Sequence, residues 1–385
     1  MANARIYLDN AATTAVAPEV LDAMIPYLRD HYGNPSSIHS FGRDTRAAIE
    51  RARRTVARLV NCTPGEIIFT SGGTEADNMA IRCAVRDRKV KHIISSPIEH
   101  HAVEHTVAEL CSKQKVQGHM VRLDDKGRVD LPHLEELLEA TAGEGTLVSL
   151  MHANNEVGTR IDLQAVGMLC RRYGALFHSD TVQTMAHYRF DLETLPVDLI
   201  TASAHKFHGP KGIGFLFMRT GCGFKPLLHG GAQERNMRGG TENLAGIVGL
   251  AVALELAYAH LEEHQQHIQR LKVHMIERLK AAFPGIEFNG DHSSESLYTV
   301  LNVRFPDDGK AEMLIYNLDI EGIACSGGSA CSSGSNKGSH VLAALTPEAT
   351  GANVRFSFSR YNTQEEVDRT VDVLQRIVRP VVVQA

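Results

Sequence analysis

The sequence lacks the features that mark membrane, secreted and nucleic-acid-binding proteins. No apolar run approaches about 18 residues, and no charged stretch followed by an apolar one opens the chain, so we expect neither a membrane span nor a signal peptide. The formal net charge is only −5, and both signs are interspersed along the chain. We therefore expect no nucleic-acid partner and no membrane partner.

The cysteines lack the paired spacing of a disulfide framework. There are seven of them, an odd number, and they are scattered along the chain. This usage indicates a reducing compartment, so we predict a cytoplasmic protein. The chain also has no internal repeat and no low-complexity segment.

What the sequence does contain is an alternation of short apolar runs and helical patterns between residues 67 and 217. This alternation predicts βαβ units and a mostly parallel sheet, the arrangement of an α/β protein. The predicted strands are 67–70, 93–95, 146–151, 175–178, 197–201 and 213–217. Helices are predicted at 18–32 and 43–60, and we expect the six arginines of the second helix to lie on a solvated face.

The length of 385 residues suggests two or three domains. A long, largely continuous helix is predicted over 241–279. Beyond it, strands at 298–305 and 354–359 and helices at 310–318 and 364–378 predict a smaller α+β unit. We expect a large domain over 16–258 and a small domain formed by 1–15 together with 259–385.

Polar residues follow two of the predicted buried strands. Lys206 comes just after one strand, beside Ser203 and His205, and Asp180 ends the strand before it. A lone lysine in a loop is usually a surface residue, but burial lowers the pKa of an amine and makes it a usable nucleophile. The carboxyl ends of parallel strands meet at one edge of the sheet, so Asp180 and Lys206 are expected at the same edge. A pyridine cofactor with an aldehyde needs this pair, the carboxylate at its ring nitrogen and the lysine at its aldehyde.

A glycine-rich turn supplies the third part of such a site. The strand 67–70 runs into S-G-G-T, where a helix is expected to begin. Backbone N–H groups at a helix N-terminus bind phosphate, and Gly72 and Gly73 permit close approach. Together with Lys206 and Asp180, this turn predicts pyridoxal 5'-phosphate as the cofactor.

Eight motifs between Tyr7 and Ser333 occur in the order typical of one family. They are Y-L-D-N-A-A-T-T, G-N-P-S-S-I-H, T-S-G-G-T-E-A-D-N, E-H-H-A-V, M-H-A-N-N-E-V-G, S-A-H-K-F-H-G-P-K-G, M-R-G-G-T-E-N and S-G-G-S-A-C-S-S. With these motifs the sequence resembles the cysteine desulfurases of the class V aminotransferase-like, fold-type I pyridoxal-phosphate family. The resemblance implies a large domain, with a mostly parallel sheet between helices, and a smaller α+β domain.

The resemblance also implies roles for individual residues. His100 would stack on the cofactor ring and move protons. Its neighbour His101 does not match the position of the family's histidine. Without the motif, either histidine would be interpreted as an ordinary surface or core residue. The remaining implied cofactor ligands are Gly73, Thr74, Asn155, Asp180, Gln183, Ser203, His205 and Lys206, with Thr241 supplied by the partner subunit of a homodimer with shared active sites. Arg355 would hold the substrate carboxylate, helped by Asn34 and Asn155; without the motif, an edge-strand surface arginine is an equal alternative. No metal site is implied.

Cys331 decides the reaction class. It lies in a segment, 326–340, that is almost devoid of apolar residues, so we expect an exposed, mobile loop rather than a core position. Cys325 lies six residues earlier, and the spacing between the two cysteines matches no known zinc-binding motif. We interpret Cys325 as structural. The alternatives are a metal pair or a redox disulfide with Cys331.

The implied activity is removal of sulfur from L-cysteine, with L-alanine as product and a persulfide on Cys331. Lys206 would hold the cofactor and take the substrate Cα proton, and His100 would move protons at the thiols. A sulfur-acceptor protein, such as an iron–sulfur scaffold, would then receive the sulfur. Alternatives on the same frame are a selenocysteine lyase, a class V aminotransferase, which has no use for Cys331, and a catalytically idle partner protein. Relatives that feed scaffolds commonly carry a carboxy-terminal extension for docking, whereas this sequence ends at Ala385, so the docking mode and the acceptor stay open.

Overall fold

The computed structural model describes residues 5–306, 313–327 and 338–378. Within these ranges the strands are β1 (Ile6–Tyr7), β2 (Ile67–Thr70), β3 (His92–Ser95), β4 (Gln117–Met120), β5 (Thr146–Ser149), β6 (Leu176–Asp180), β7 (Leu199–Ser203), β8 (Gly214–Met218), β9 (Glu287–Asn289), β10 (Val300–Phe305), β11 (Ile323–Ala324) and β12 (Ala352–Ser357). The α-helices are α1 (Pro18–Arg29), α2 (Ser40–Leu59), α3 (Gly73–Arg88), α4 (His101–Lys113), α5 (Leu131–Ala140), α6 (Leu163–Tyr173), α7 (Gln233–Asn236), α8 (Leu244–Ala259), α9 (Leu261–Ala282), α10 (Leu314–Ile320), α11 (His340–Leu345) and α12 (Gln364–Ile377).

A seven-stranded sheet in the order β2-β8-β7-β6-β5-β3-β4 forms the centre of the fold. Every neighbouring pair is parallel except the two pairs that β8 makes, so the prediction of a mostly parallel sheet is confirmed. The run 67–70 is a strand over the whole predicted length, and the other predicted strands of this sheet are present with ends shifted by a few residues. Strands β5 and β7 are buried throughout, as expected for strands covered by helices on both faces.

The sheet places two of the predicted site residues at one edge. Strand β6 ends at Asp180, which pairs with Thr201 of the neighbouring β7. Strand β7 ends at Ser203 and passes directly into a 3₁₀ turn, residues 204–206, that carries Lys206. The carboxyl ends of β6 and β7 therefore deliver a carboxylate and an amine to the same side of the sheet.

A second sheet and its helices form a separate apolar cluster. Strands β12, β10 and β9 are antiparallel, and β1 pairs in parallel with β11. Helices α9 and α12 pack together, and Met275, Phe305, Val354 and Val371 are buried in this cluster. The chain division at residues 15/16 and 258/259 stays a proposal.

The helix predicted over 241–279 is interrupted. Helices α8 and α9 meet at His260, whose φ of −119° and ψ of 23° are non-helical, and their axes bend by 75°. The break separates two environments: α8 is almost wholly apolar and buried, whereas α9 has a polar outer face. Among the described residues no single helix is long and apolar enough to cross a membrane; only this bent pair, taken together, meets that criterion. Of the helix predicted at 310–318, residues 310–312 lie outside the described ranges, and α10 begins at Leu314.

The expectation that all arginines of α2 are solvated is wrong for one of them. Five are exposed, but the side chain of Arg53 is only 2% exposed. Its Nη1 and Nη2 atoms donate to both carboxylate oxygens of Glu234 at 2.7 and 2.8 Å, and Nη1 also donates to the carbonyl of Ile67. The partner carboxylate comes from 181 residues away, so charge composition along the helix gave no sign of this burial.

Candidate active site

One cavity of about 240 Å³ lies at the carboxyl ends of β6 and β7. Ten of the predicted site residues line it, namely Gly73, Thr74, His100, Asn155, Asp180, Gln183, Ser203, His205, Lys206 and Arg355. They come from positions between 73 and 355, so the cavity is assembled by the tertiary fold rather than by one segment. Lys206 lies at one end of the cavity, Asp180 at its floor, the amino-terminal end of α3 at the opposite end and Arg355 in its wall.

The Lys206 amine is held by the amino-terminal segment. Its Nζ donates to the carbonyl oxygens of Ala11 and Ala12 at 2.6 and 2.8 Å. Gln183 Nε2 donates to the same Ala11 carbonyl at 3.0 Å, so the amide and the amine share one acceptor. These bonds fix the position of the amine at the cavity wall, where it can reach a bound carbonyl compound.

Asp180 lies at the floor of the cavity beside a second buried carboxylate, Asp77. One oxygen of Asp180 accepts from the backbone N–H of Val182 at 2.9 Å. Burial, with the charge of Asp77 as the next cause, raises the pKa of Asp180 to about 6, and burial raises the pKa of Asp77 to about 7. Oδ1 of Asp77 lies 3.4 Å from Nε2 of His178 but makes no hydrogen bond. The carboxylates at the floor of the cavity therefore have an acceptor oxygen for which the described protein supplies no hydrogen-bond donor.

His100 forms the side of the cavity next to Asp180. It caps α4: its Nδ1 accepts from the backbone N–H of Ala102 at 3.1 Å, so in the neutral ring the proton is on Nε2. Burial is the main cause that lowers the pKa of His100, opposed by the charge of Asp180. A neutral imidazole ring at neutral pH is the form that stacks on a flat cofactor and exchanges a proton through Nε2.

The amino-terminal end of α3 forms the opposite end. The first amide groups of a helix have no acceptor within the helix and so bind anions, and here they come from Gly73 and Thr74. A side chain at Gly73 would place Cβ 2.7 Å from the Val182 side chain, so this close approach requires glycine. Ser203 and His205 line the cavity beside this turn. Burial lowers the pKa of His205 to about 4, so at neutral pH it contributes a neutral ring.

Arg355 is buried in the wall and is ion-paired. Its side chain is 1% exposed; Nη2 donates to Oδ1 of Asp9 at 2.8 Å and to Oγ of Ser326 at 3.1 Å, and Nη1 donates to the Asn155 carbonyl. Nε is buried and has no hydrogen-bond acceptor. A buried N–H without an acceptor is costly, so this guanidinium, which lines the cavity, has donor capacity that its partners in the protein do not use.

Two of the predicted residues that the structure describes, Thr241 and Asn34, do not line this cavity. Thr241 lines a different cavity, between the end of β2 and the segment before α8. Asn34 is exposed in the loop between α1 and α2, where its Oδ1 accepts from the backbone of Ser36. Cys331 lies outside the described residues. Cys325 precedes that segment, and burial raises the pKa of its thiol to about 12, so it is un-ionised at neutral pH.

The sequence reasoning missed Asp77 and Asp9. Both occur within motifs that were recognised, T-S-G-G-T-E-A-D-N and Y-L-D-N-A-A-T-T, so their presence was visible. What the motifs did not show is their contacts: Asp77 lies against the floor beside Asp180, and Asp9 binds the guanidinium of Arg355. A rule that treats every carboxylate in a recognised motif as a candidate would have found both.

These residues fit pyridoxal phosphate. The two buried carboxylates of the floor, with raised pKa values and an unpartnered Asp77 oxygen, suit a protonated ring nitrogen. Lys206 lies where an aldehyde can be reached, and the α3 end with its required glycine suits a phosphate. The three chemical demands of this cofactor are met within one cavity.

Comparison with known proteins gives an independent line of evidence. The sequence model of the family described as Aminotransferase class-V matches residues 6–370. The cysteine desulfurase IscS of Dictyoglomus turgidum is 42% identical over 97% of this chain and 94% of its own length. Among solved structures, a NifS-like protein superposes with a TM-score of 0.89 at 37% identity, over 97% of this chain and 99% of that one. SspA, solved in complex with cysteine, superposes with a TM-score of 0.78 at 31% identity, over 93% of this chain and 100% of that one.

Proposed function

This chain belongs to the class-V aminotransferase family, and we propose that within it the chain is a cysteine desulfurase that uses pyridoxal phosphate. The observation that carries the proposal is that Lys206, Asp180 and the amino-terminal end of α3 meet in one cavity whose wall contains Arg355. When bound, the cofactor supplies an electron sink for the carbanion formed at the substrate Cα.

Lys206 would hold the cofactor covalently and, once the substrate amine has displaced it, act as base. Its amine is positioned by the Ala11 and Ala12 carbonyls, so it stays at the cavity wall when it is not bonded to a ligand. Its role is then to remove the proton from the substrate Cα and return it to carbon. Asp180 would stay ionised against the cationic ring, because a positive donor lowers the pKa that burial has raised.

Arg355 would bind the substrate carboxylate. The unpartnered Nε donor lies in the same guanidinium whose other donors hold Asp9, Ser326 and the Asn155 carbonyl, so the fork is held in one orientation before substrate enters. Charge-assisted hydrogen bonds from a guanidinium recognise carboxylates. Cysteine as the amino acid is supported by the relative SspA, whose structure was solved with cysteine.

Cys331 would be the acceptor of the sulfur. Its thiolate attacks the substrate sulfur, the carbon–sulfur bond breaks, and a new sulfur–sulfur bond forms. The atoms balance without an oxidant: cysteine and the enzyme thiol give alanine and an enzyme persulfide. His100, with its proton on Nε2, would supply and accept protons at the sulfur atoms.

A homodimer with shared sites is part of the proposal. Thr241 and Asn34 do not line the cavity formed by their own chain, which suits residues that complete a partner's site. Four exposed apolar side chains, Leu28, Tyr32, Ile38 and Phe41, lie within or on either side of the loop that carries Asn34, and the rings of Tyr32 and Phe41 are 5.8 Å apart. Apolar patches of this kind mark protein interfaces. Mixing Lys206→Ala chains with Thr241→Ala chains tests the idea, because only a shared site restores activity in the mixed dimer.

The sulfur would pass to an acceptor protein, with iron–sulfur assembly as the pathway we favour. A cytoplasmic location is supported by the six cysteines that lie within the described residues, because all of them are free thiols. Pull-down with persulfide-loaded protein identifies the acceptor. Recovery of an iron–sulfur scaffold supports this pathway, whereas recovery of another sulfur carrier indicates a different sulfur-transfer pathway.

The test of the activity is to incubate the holoenzyme with L-cysteine and measure alanine and sulfide together. Equal amounts of both, in the presence of a thiol reductant, are expected for a desulfurase. A 2-oxo acid without sulfide would identify an aminotransferase instead. Turnover of selenocysteine with none of cysteine would identify a selenocysteine lyase, and absence of both products would leave only a binding protein.

A further inference from the structure

A cluster of histidines and one carboxylate lies at the surface next to the cavity, and the proposed reaction does not use it. His101 and Glu104 lie on the first turn of α4, and His340 is the first residue of α11. One ligand atom from each lies within 4.8 Å of the others. Nδ1 of His101 is 2.8 Å from Oε2 of Glu104, and Nε2 of His340 is 3.9 Å from the same oxygen.

The local sequence has the form of a metal-binding helix. Residues 101–105 read H-A-V-E-H, so the H-x-x-E-H spacing places two histidines and a glutamate on one side of the helix. The rings of His101 and His105 stack at a centroid distance of 4.8 Å, and the rings of His101 and His340 lie 4.5 Å apart. The third ligand in this structure is thus His340, brought from 239 residues away, rather than the second histidine of the motif.

The distances suit a small divalent ion. Tetrahedral zinc with bonds of about 2.0–2.1 Å holds its ligand atoms about 3.3 Å apart. The separations of 2.8 and 3.9 Å lie on either side of that value, so small side-chain movements are sufficient. All three side chains are partly exposed, and an ion can reach them from solvent.

We propose that His101, Glu104 and His340 form a binding site for a divalent transition metal of the zinc type, with water in the remaining coordination position. Two imidazoles and one carboxylate are a donor set that zinc favours and that magnesium and calcium do not. Binding displaces the proton by which His101 donates to Glu104, and it withdraws Nε2 of His340 from the carbonyl of Glu99, to which it donates at 2.9 Å. The ion thereby joins α4 to α11.

This site is distinct from the cofactor cavity. In the described ranges, the other cluster with three such ligands is Asp77, His100 and Asp180, which belongs to the cavity floor. None of the three proposed ligands lines the cavity. The proposal therefore goes beyond the desulfurase activity and does not depend on it.

The experiment titrates the full-length holoenzyme with zinc chloride at about pH 7.5, where imidazole is largely neutral. It is done in a Cys331→Ser background, since thiolates also bind zinc. We expect one ion per chain with a Kd below about 10 µM, and a rise in Tm with zinc concentration, because the ion binds the folded state only. Magnesium chloride at the same concentration is expected to change nothing.

Three single variants remove one ligand each: His101→Gln, Glu104→Gln and His340→Gln. Each is expected to weaken zinc binding by more than about 100-fold, since even the loss of an outer-sphere partner weakens metal sites by about 10- to 100-fold. His105→Gln and His260→Gln are matched controls. His105 stacks on His101 without joining the set, and His260 makes a comparable contact with Glu263 that lacks a third ligand within the described chain.

Retention of parental affinity in all three ligand variants would show that zinc binds elsewhere, and would overturn the proposal. Retention in His340→Gln alone would also overturn it, because the site would then be local to α4. Failure of the parent to bind one zinc ion in the stated range does the same. Circular dichroism and the zinc-free Tm show whether each variant is folded, so that lost binding is not mistaken for unfolding.

Discussion

Nη2 of Arg355 donates to Oδ1 of Asp9 at 2.8 Å, a contact that joins residues 346 positions apart in the sequence. The guanidinium proposed to bind the substrate is therefore already oriented by a carboxylate before the substrate arrives. Ser326 takes part in the same group, because its Oγ donates to Oδ1 of Asp9 at 2.6 Å. The substrate-binding donor, the amino-terminal segment and the residue five positions before Cys331 thus share one hydrogen-bonded unit.

Arg355→Lys tests the carboxylate clamp. Lysine keeps the charge but loses the planar fork that holds Asp9 and a substrate carboxylate together. We expect kcat/KM for cysteine to fall by about 10- to 100-fold, which corresponds to a loss of about 1.5–3 kcal/mol of charged hydrogen bonding. Steady-state kinetics measure this effect. Wild-type values of both KM and kcat would place the clamp elsewhere.

Lys206→Ala tests the cofactor tether and the base together. Among the described residues, Lys206 is the amine that the carbonyls of Ala11 and Ala12 hold at the cavity wall, so we expect loss of covalent cofactor attachment and of alanine production. Borohydride reduction followed by peptide mass analysis shows the attachment in the parent and its loss in the variant. Alanine produced at the parental rate would contradict the assignment. Lys211→Ala, which removes an exposed lysine nearby, is the control and should retain activity.

Cys331→Ser separates the desulfurase from the aminotransferase interpretation. A serine hydroxyl is not ionised at neutral pH and is a poor nucleophile toward sulfur, so we expect cofactor binding to be retained, with little alanine and no protein persulfide. Cys325→Ser should behave like the parent, because that thiol, with its pKa raised to about 12, is un-ionised. Alkylation after incubation with cysteine, followed by peptide mass analysis, locates the persulfide. A label on Cys325 would show that the nucleophile had been assigned wrongly.

Glu234→Gln tests the buried pair with Arg53. Both side chains are almost fully buried, 2% and 3% exposed, so removal of the negative charge leaves the buried guanidinium with only the partly exposed Glu50, 3.3 Å from its Nε, as counter-ion. We expect the free energy of unfolding to fall by about 3–5 kcal/mol in chemical denaturation. The exposed pair of Arg58 and Glu255 is the control, and Glu255→Gln should change stability by less than about 1 kcal/mol. Equal, small losses in both variants would refute the structural importance of the buried pair.

Lys272 gives a prediction for stability against pH. It is fully buried, donates to Oγ of Ser296 and the carbonyl of Leu297, and burial lowers its pKa from 10.5 to about 8. Between these two pH values the unfolded chain binds the proton and the folded chain does not, so this residue makes stability increase as pH rises from about 8 toward 10.5. Below pH 8 its full destabilising contribution, about 3 kcal/mol, is present.

The measurement compares the parent with Lys272→Met by chemical denaturation at several pH values. Methionine does not titrate, so the variant lacks the pH-dependent contribution that the Lys272 amine makes to the stability of the parent. The free energy of unfolding of the parent should therefore increase relative to that of Lys272→Met as pH rises from about 8 to 10. A difference that stays constant over this range would contradict the lowered pKa.

The sequence predicted the parts of this structure that depend on local pattern. A run such as 67–70 is apolar and bounded by polar residues, and Asp180 and Lys206 follow directly from where two such strands end. The predictions failed where a distant partner decides the outcome. Arg53 is buried because Glu234 lies against it, and the helix over 241–279 breaks at His260, where a buried apolar helix gives way to a half-exposed one. The burial of Arg53 is not encoded in its neighbouring residues, whereas the change from an apolar to a polar pattern near residue 260 is present in the sequence itself.

The contacts of the amino-terminal segment also set the order of events during synthesis. Residues 9–12 hold Lys206 and Arg355, and Asn10 donates to the carbonyl of Ser357 across 347 residues. Closing so long a loop is entropically unfavourable and slow, and it requires that strand β12 has left the ribosome. The central sheet can form while the chain is still growing, whereas the complete cavity cannot. We therefore expect capture of the cofactor in the complete cavity to follow the synthesis of strand β12.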